Sequence, residues 1–201
     1  GSTWEEDEDQ LFSAYKEISP FPIRMMLVPH ETNDEHLEAI KAKAEHFGIS
    51  LRFANQDKFD TSKNTPPVTI VDHKGVLADL YSLADLAFIG GSFKRKVHSV
   101  MEALGAGKIV AVGPHYTNNR EAVQFSRIEV GSGLFAVNVG QNAKELETLI
   151  IKVSGLTPEE RSQIEAKIRT EFMDRLGATA KVIDWCDFHL ETSFTQNIPN
   201  A

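Results

Sequence analysis

Short apolar runs of strand length alternate with segments of helical period along most of this chain, and the links between them are short. This order constrains the fold more than any other feature. A parallel neighbour in a sheet requires a crossover, and a helix between two strands supplies it. Residues 23–30 (IRMMLVPH) form one continuous apolar stretch, the pattern of a strand buried on both faces. Residues 49–53, 68–72, 86–90, 108–113 and 134–139 read as further strands. Helices are predicted over 33–47, capped by Asn33 and stopped by Gly48, and over 76–84, 98–106, 119–125 and 143–153. A long final helix opens with Pro158 in its first turn. At the start of the chain, Thr3 and Glu6 have the spacing of a capping box, and the acidic run from Glu5 to Asp9 suits the positive end of a helix dipole. That helix ends before Pro20 and Pro22. Residues 54–67 are polar and proline-ended, hence a surface loop.

The fold class predicted from this alternation is α/β, a Rossmann-like doubly wound parallel sheet with helices on both faces. With 201 residues, 41% of them hydrophobic, the chain can bury one substantial core. We read residues 1–190 as one domain and 191–201 as a polar tail. The net charge of −8 argues against nucleic acid as a partner of the domain as a whole. The single cysteine, Cys186, excludes an internal disulfide framework and suits a reducing compartment. No apolar run approaches the ~20 residues of a membrane span. The acidic N-terminus lacks the basic-then-apolar order of a signal peptide.

In such sheets ligands bind beyond the C-terminal ends of the strands. That directs attention to residues 29–30, 72–73, 90–98 and 113–119. Gly90 and Gly91 allow positive φ and close approach of a ligand to the backbone, although a tight turn explains the pair equally well. Lys94, Arg95 and Lys96 form a cationic loop, for which a solvated surface is the plainer reading. A helix starting at His98 would offer free N–H groups to a phosphate, with Glu102 one turn in, on the same face, able to accept from a ribose diol. His30, His73, His98 and His115 all fall at strand ends, but their spacing matches no metal motif. Ser99 has no evident base partner, which disfavours nucleophilic catalysis.

Taken together, strand, Gly-Gly, loop, H-x-x-x-E-x-x-x-x-G and a strand ending in G-P-H resemble the C-terminal nucleotide-binding half of GT-B glycosyltransferases. The match in detail is to the 3-deoxy-D-manno-octulosonic acid (Kdo) transferases. GSTWEEDED resembles their G-S-T-H-E-G-E-E segment and MLVPH their L-x-P-R-H. LADLYSLADLAFIGGSF and HSVMEALGAGKIVAVGPHYTNNREA resemble two further family stretches in matching order. The resemblance implies a domain that holds CMP-Kdo, without a cofactor or metal, through Ser2, Thr3, Pro29, His30, Gly90, Gly91, Ser92, Lys94, His98, Ser99 and Glu102. It implies further that Glu102 holds the ribose and the His98 helix start the phosphate. The catalytic base, the lipid A precursor site and the membrane-facing surface would then lie in an N-terminal acceptor domain outside this chain, at the cytoplasmic side of a bacterial inner membrane. No catalytic residue is assigned to the chain itself. Three departures stand out: Ser99 replaces the family's Asn, Lys94 and Lys96 occupy positions that are often glycine, and the arginine of L-x-P-R-H is absent. A non-catalytic nucleotide-binding or interaction module, and a GT-B half for another nucleotide sugar, remain open as alternatives.

Overall fold

The computed structural model describes residues 1–19, 21–54 and 67–176. Cys186, the tail at 191–201, the domain boundary at 190 and most of the polar loop at 54–67 lie outside these residues. Among the described residues the elements run α1 (Glu5–Ile18), β1 (Met25–Leu27), α2 (Asp34–His46), β2 (Leu51–Phe53), β3 (Val68–Ile70), α3 (Leu77–Tyr81), β4 (Leu86–Phe88), α4 (Met101–Gly105), β5 (Ile109–Val112), α5 (Arg120–Phe125), β6 (Glu129–Gly131), β7 (Leu134–Phe135), β8 (Val137–Val139), α6 (Ala143–Ser154) and α7 (Pro158–Met173).

The strands form two parallel three-stranded sheets, β1-β3-β2 and β4-β5-β8. Gly1–Thr3 lies between them. Thr3 N–H donates to Val28 O at 3.3 Å and His30 N–H to Thr3 O at 2.9 Å, on the edge of β1 away from β3. On the other side Gly90 N–H donates to Gly1 O at 2.9 Å, and Gly1 N donates to Phe88 O. Residues one and three of a regular strand bond to the same neighbour; here Ser2, at φ 55°, turns the backbone so that Gly1 faces β4 and Thr3 faces β1. The two sheets are thereby joined into one doubly wound surface, as the sequence predicts.

Each face has its own core. α1, α2 and α6 cover one with Phe12, Ile18, Ile40, Ala44 and Leu146, packed on Leu27, Val68, Ile70 and Ala111. On the other, Val100, Leu104, Phe125, Ile164 and Ile168 pack on Ile89, Val110, Val112 and Val137. β5 serves both, because alternate side chains of a strand point to opposite faces. Helix ends follow the sequence where a side chain can act locally. Asn33 accepts from His36 N–H at 2.9 Å, Asn119 from Ala122 N–H at 2.8 Å, and Thr157 and Glu160 close a reciprocal capping box around Pro158.

Three expectations are corrected. The first helix is capped one residue later than predicted: Trp4 is the cap, and Asp7 accepts its N–H at 3.0 Å, while the Thr3 hydroxyl turns away to Glu8 at 3.1 Å because its backbone belongs to the central strand. Residues 134–139 are not one strand. β7 pairs antiparallel with β6 across the turn Gly131-Ser132-Gly133, all three at positive φ, and β8 then pairs in parallel with β5. The G-S-G between two apolar runs is a hairpin signal that the parallel reading passed over. Finally, the helix expected from His98 starts at Met101. Val97 N–H is drawn to His115 O and Asn118 Oδ1, both at 3.1 Å, and His98 N–H to Gly90 O at 3.1 Å, so this stretch is held outside the helix.

Gly90 is where the central strand packs closest: a Cβ there would lie 2.1 Å from Ser2 O, backbone against backbone. Gly48 has φ +70° but open space around it. We expect Gly90→Ala to lower unfolding free energy by about 3 kcal/mol and Gly48→Ala by about 1 kcal/mol, measured by urea denaturation. Equal losses would mean that the central strand moves aside cheaply, so that close contact is not what Gly90 supplies.

Candidate functional site

The site lies where Gly1–Thr3, the segment after β1 and the segment after β4 end side by side. Its organising group is Asp7, fully buried in the first turn of α1. Asp7 Oδ2 accepts from Gly91 N–H at 2.6 Å and from Trp4 N–H, and Oδ1 accepts from Phe93 N–H at 3.0 Å. The Gly-Gly turn is therefore filled from within by a carboxylate of the protein itself. Gly91 sits at φ +86°, and a Cβ on it would meet Lys96 O at 2.1 Å. Ser92 is equally committed: it is fully buried, donates to Ile89 O at 3.1 Å and accepts from Gly113 N–H at 2.7 Å, tying the ends of β4 and β5 together. These contacts give the loop its shape.

On that frame the structure assembles an aromatic cluster. Trp4 Nε1–H donates to His98 Nε2 at 3.0 Å, with the two rings 12° from parallel and their centroids 6.5 Å apart, so they lie edge to edge. His30 stacks on both, 4.5 Å from the Trp4 ring and 4.7 Å from His98. The Lys94 ammonium sits 3.9 Å from the indole centroid, a cation–π contact that keeps positive charge at the cluster. Burial lowers the His98 pKa below its usual 6.5, and the neighbouring His30 and the amino terminus add to this while Asp7 opposes it. His30 and Lys94 are exposed, and Trp4 and His98 are half-buried. The cluster thus presents flat rings, a lysine and imidazole nitrogens at the sheet's C-terminal edge, groups suited to holding a planar ring beside an anion.

Of the residues singled out in the sequence, Ser2, Thr3, Pro29, His30, Gly90, Gly91, Ser92, Lys94 and His98 converge here. Ser99 is exposed, and among the described residues its hydroxyl accepts only the Met101 N–H, at 3.4 Å. Glu102 is exposed on α4, and its charge acts on Tyr81, whose hydroxyl burial and that charge together push well up from its usual pKa. His98 and Glu102 do not share a helix face as expected, since His98 precedes the helix. With five residues, α4 also has too few aligned peptides for the expected anion site at its start.

Trp4, Asp7 and Glu8 were missed as site residues. Their positions in the GSTWEEDE segment align with the family's His and Glu-Glu, which was the available signal; the acidic run was assigned to the helix dipole instead. Glu8 is buried, accepts from the Thr3 hydroxyl and lies 3.1 Å from His36 Nε2. Burial raises its carboxyl above the ordinary 4.5, with His36, Thr3 and Lys43 working against the rise.

No protein-family profile matches the chain. It is 32% identical over 152 residues to a 3-deoxy-D-manno-octulosonic acid transferase of Chlamydia muridarum, covering 73% of this chain and 34% of that protein. With a transferase of the same name from Aquifex aeolicus it shares 26% over 166 residues, covering 81% of this chain and 44% of the relative. The chain thus spans about a third to under a half of the length of these relatives. Its fold matches the C-terminal CMP-Kdo binding domain of WaaA from Acinetobacter baumannii with a TM-score of 0.71 at 20% identity, covering 87% of this chain and 86% of that one. It also matches a trehalose-6-phosphate synthase from Burkholderia multivorans with a TM-score of 0.56 at 9% identity, over 100% of this chain and 43% of that one. The chain therefore has the Rossmann-like α/β fold of these two structures, as the alternation of strands and helices in its sequence predicts.

Asp7→Ala leaves three backbone N–H groups without their acceptor, and we expect it to destabilise the domain by roughly 3–5 kcal/mol in urea unfolding. Glu8 gives a pH signature. Its native pKa is raised, so the native state holds this proton to higher pH than the unfolded chain and stability falls as pH climbs above 4.5. Glu8→Gln removes that fall. Thermal melts of the two proteins between pH 4 and 6 should show the stability of wild type relative to the variant declining with pH; parallel curves would count against a raised Glu8.

Proposed function

We propose that this chain, which resembles the C-terminal half of the Kdo transferases, is a donor-binding domain that holds CMP-Kdo at the C-terminal edge of its sheet. The observation that carries the reading is the convergence of Trp4, His30, Lys94 and His98 at that edge, on a fold shared with a CMP-Kdo binding domain. A pyrimidine ring finds stacking partners in the cluster, and the phosphate finds Lys94 and an imidazole N–H. Glu102 is a carboxylate that could accept both hydroxyls of the ribose.

In the whole protein we place the acceptor site and the general base in a separate N-terminal domain, with a lipid A precursor as acceptor at the cytoplasmic face of the inner membrane. Within the described residues, Asp7 is engaged by backbone amides and Glu8 by Thr3 and His36, so neither carboxylate is poised to accept a substrate proton. The chain alone is expected to bind donor and not to transfer it, since orienting two reactants supplies ~7–11 kcal/mol of barrier lowering that one wall of a cleft lacks. Among the described residues no helix is long and apolar enough to cross a membrane. A second reading, a nucleotide-binding module without transfer, is favoured by one observation: Trp4, standing where the family has histidine, occupies His98 Nε2.

Calorimetric titration with CMP, UDP and CDP tests the donor reading. CMP should bind with a Kd between millimolar and micromolar, about 4–8 kcal/mol, and more tightly than UDP or CDP. Glu102→Ala should weaken CMP by roughly 1.5–3 kcal/mol without unfolding the domain. No CMP binding at millimolar ligand removes the reading for this chain, and preference for a uridine nucleotide points to another sugar donor.

A further inference from the structure

We propose that Trp4 is a positioning residue that fixes His98 as its neutral Nδ1–H tautomer, so that Nδ1–H is the donor this site offers to an anionic oxygen of a bound ligand. The ligand part rests on the nucleotide reading above; the tautomer part does not. An indole N–H can only donate. With Trp4 Nε1 at 3.0 Å, His98 Nε2 supplies the lone pair, and the proton of the neutral ring is on Nδ1. Nδ1 has no hydrogen-bond partner among the described residues and is not sealed from solvent. His30, stacked 15° from parallel on His98, restrains the plane of the ring and with it the direction of that N–H.

The same contact opposes the imidazolium. Protonation at Nε2 would set N–H against N–H and break the bond to Trp4. The charged or titratable groups around the ring are His30 after β1, Asp7 on α1, the amino terminus of the central strand and, across the indole, Lys94. Only Asp7 favours a cation there, and its oxygens already accept three N–H groups. A phosphate-bearing ligand therefore meets a neutral N–H donor and a separate lysine. A histidine at position 4, as in the family segment, can donate or accept and would leave the tautomer of His98 open; tryptophan removes that freedom.

The test is long-range 15N–1H correlation NMR of the histidine rings in the wild-type chain, Trp4→Phe and Trp4→His, joined to CMP titrations at pH 5.5 and 7.5. The wild type should show His98 protonated at Nδ1 and unprotonated at Nε2 at pH 7.5, and should titrate below the ordinary 6.5. Trp4→Phe keeps a ring for His30 to stack on but loses the donor; His98 should then populate Nε2–H and titrate at higher pH, and Trp4→His should restore part of the wild-type pattern. Between pH 7.5 and 5.5 the affinity of Trp4→Phe for CMP relative to wild type should rise about threefold or more, because its His98 takes up a proton at higher pH than the wild type does. The ratio cancels the ligand's own ionisation. Nε2–H in the wild type, or a His98 titration unmoved by Trp4→Phe, overturns the proposal. If Trp4→Phe does not fold, a wild-type His98 that titrates at or above the ordinary 6.5 does the same. The expected tautomers with no CMP binding by any of the three proteins would overturn the nucleotide reading and leave the assignment of His98 standing.

Discussion

The backbone pairing of Gly1–Thr3 with both sheets is the contact on which the rest of the architecture depends. Without it, β1-β3-β2 and β4-β5-β8 are separate ribbons, each with an open inner edge of unpaired N–H and C=O groups. Two features make the insertion possible. Ser2 takes a left-handed conformation that distributes the hydrogen bonds to both neighbours, and Gly90 lacks the Cβ that would strike Ser2 O. Asp7 then extends the same connection into the next layer, since the residue that accepts the N–H of the helix cap also holds the amides of Gly91 and Phe93. Strand, helix start and turn are thus set by one continuous run of seven residues, Gly1 to Asp7.

This economy separates shape from recognition at the sheet edge. The Gly-Gly turn is held by Gly1 and Asp7, and Ser92 by Ile89 and Gly113, so they form a fixed floor. Under the proposed function, recognition is left to side chains that project from that floor: Trp4, His30, Lys94 and His98. They come from three segments far apart in the chain, and each is oriented by backbone the floor holds. His98, for instance, is kept out of the helix because Gly90 O takes its N–H and Asn119 Nδ2 donates to its carbonyl at 3.1 Å. Held there, the imidazole meets Trp4 instead of joining the helix.

Local chemistry was legible in the sequence wherever one side chain acts on nearby backbone. Asn33, Asn119 and the Thr157-Pro158-Glu160 start were all readable, because a cap needs only its own first turn. The doubly wound order was readable for a related reason: burial on two faces writes continuous apolar runs into parallel strands, and amphipathic helices must alternate with them. That order also puts His30, Lys94 and His98 at strand ends, where the structure brings their side chains together around Trp4.

Tertiary structure decided the rest, through partners separated by tens of residues. The capping box moved from Thr3 to Trp4 because Thr3 was needed as strand. The helix at His98 lost its first turn to Gly90, His115 and Asn118. The glycines proved to admit a strand at Gly90 and the Lys96 carbonyl at Gly91, and sequence alone cannot tell that use from close approach of a ligand, because both demand only a missing Cβ. Above all, the bond between Trp4 and His98 spans 94 positions. Nothing in the local pattern of either residue announces it, since a hydrogen bond between side chains depends on where two backbones are brought together, and that is set by the packing of the whole sheet.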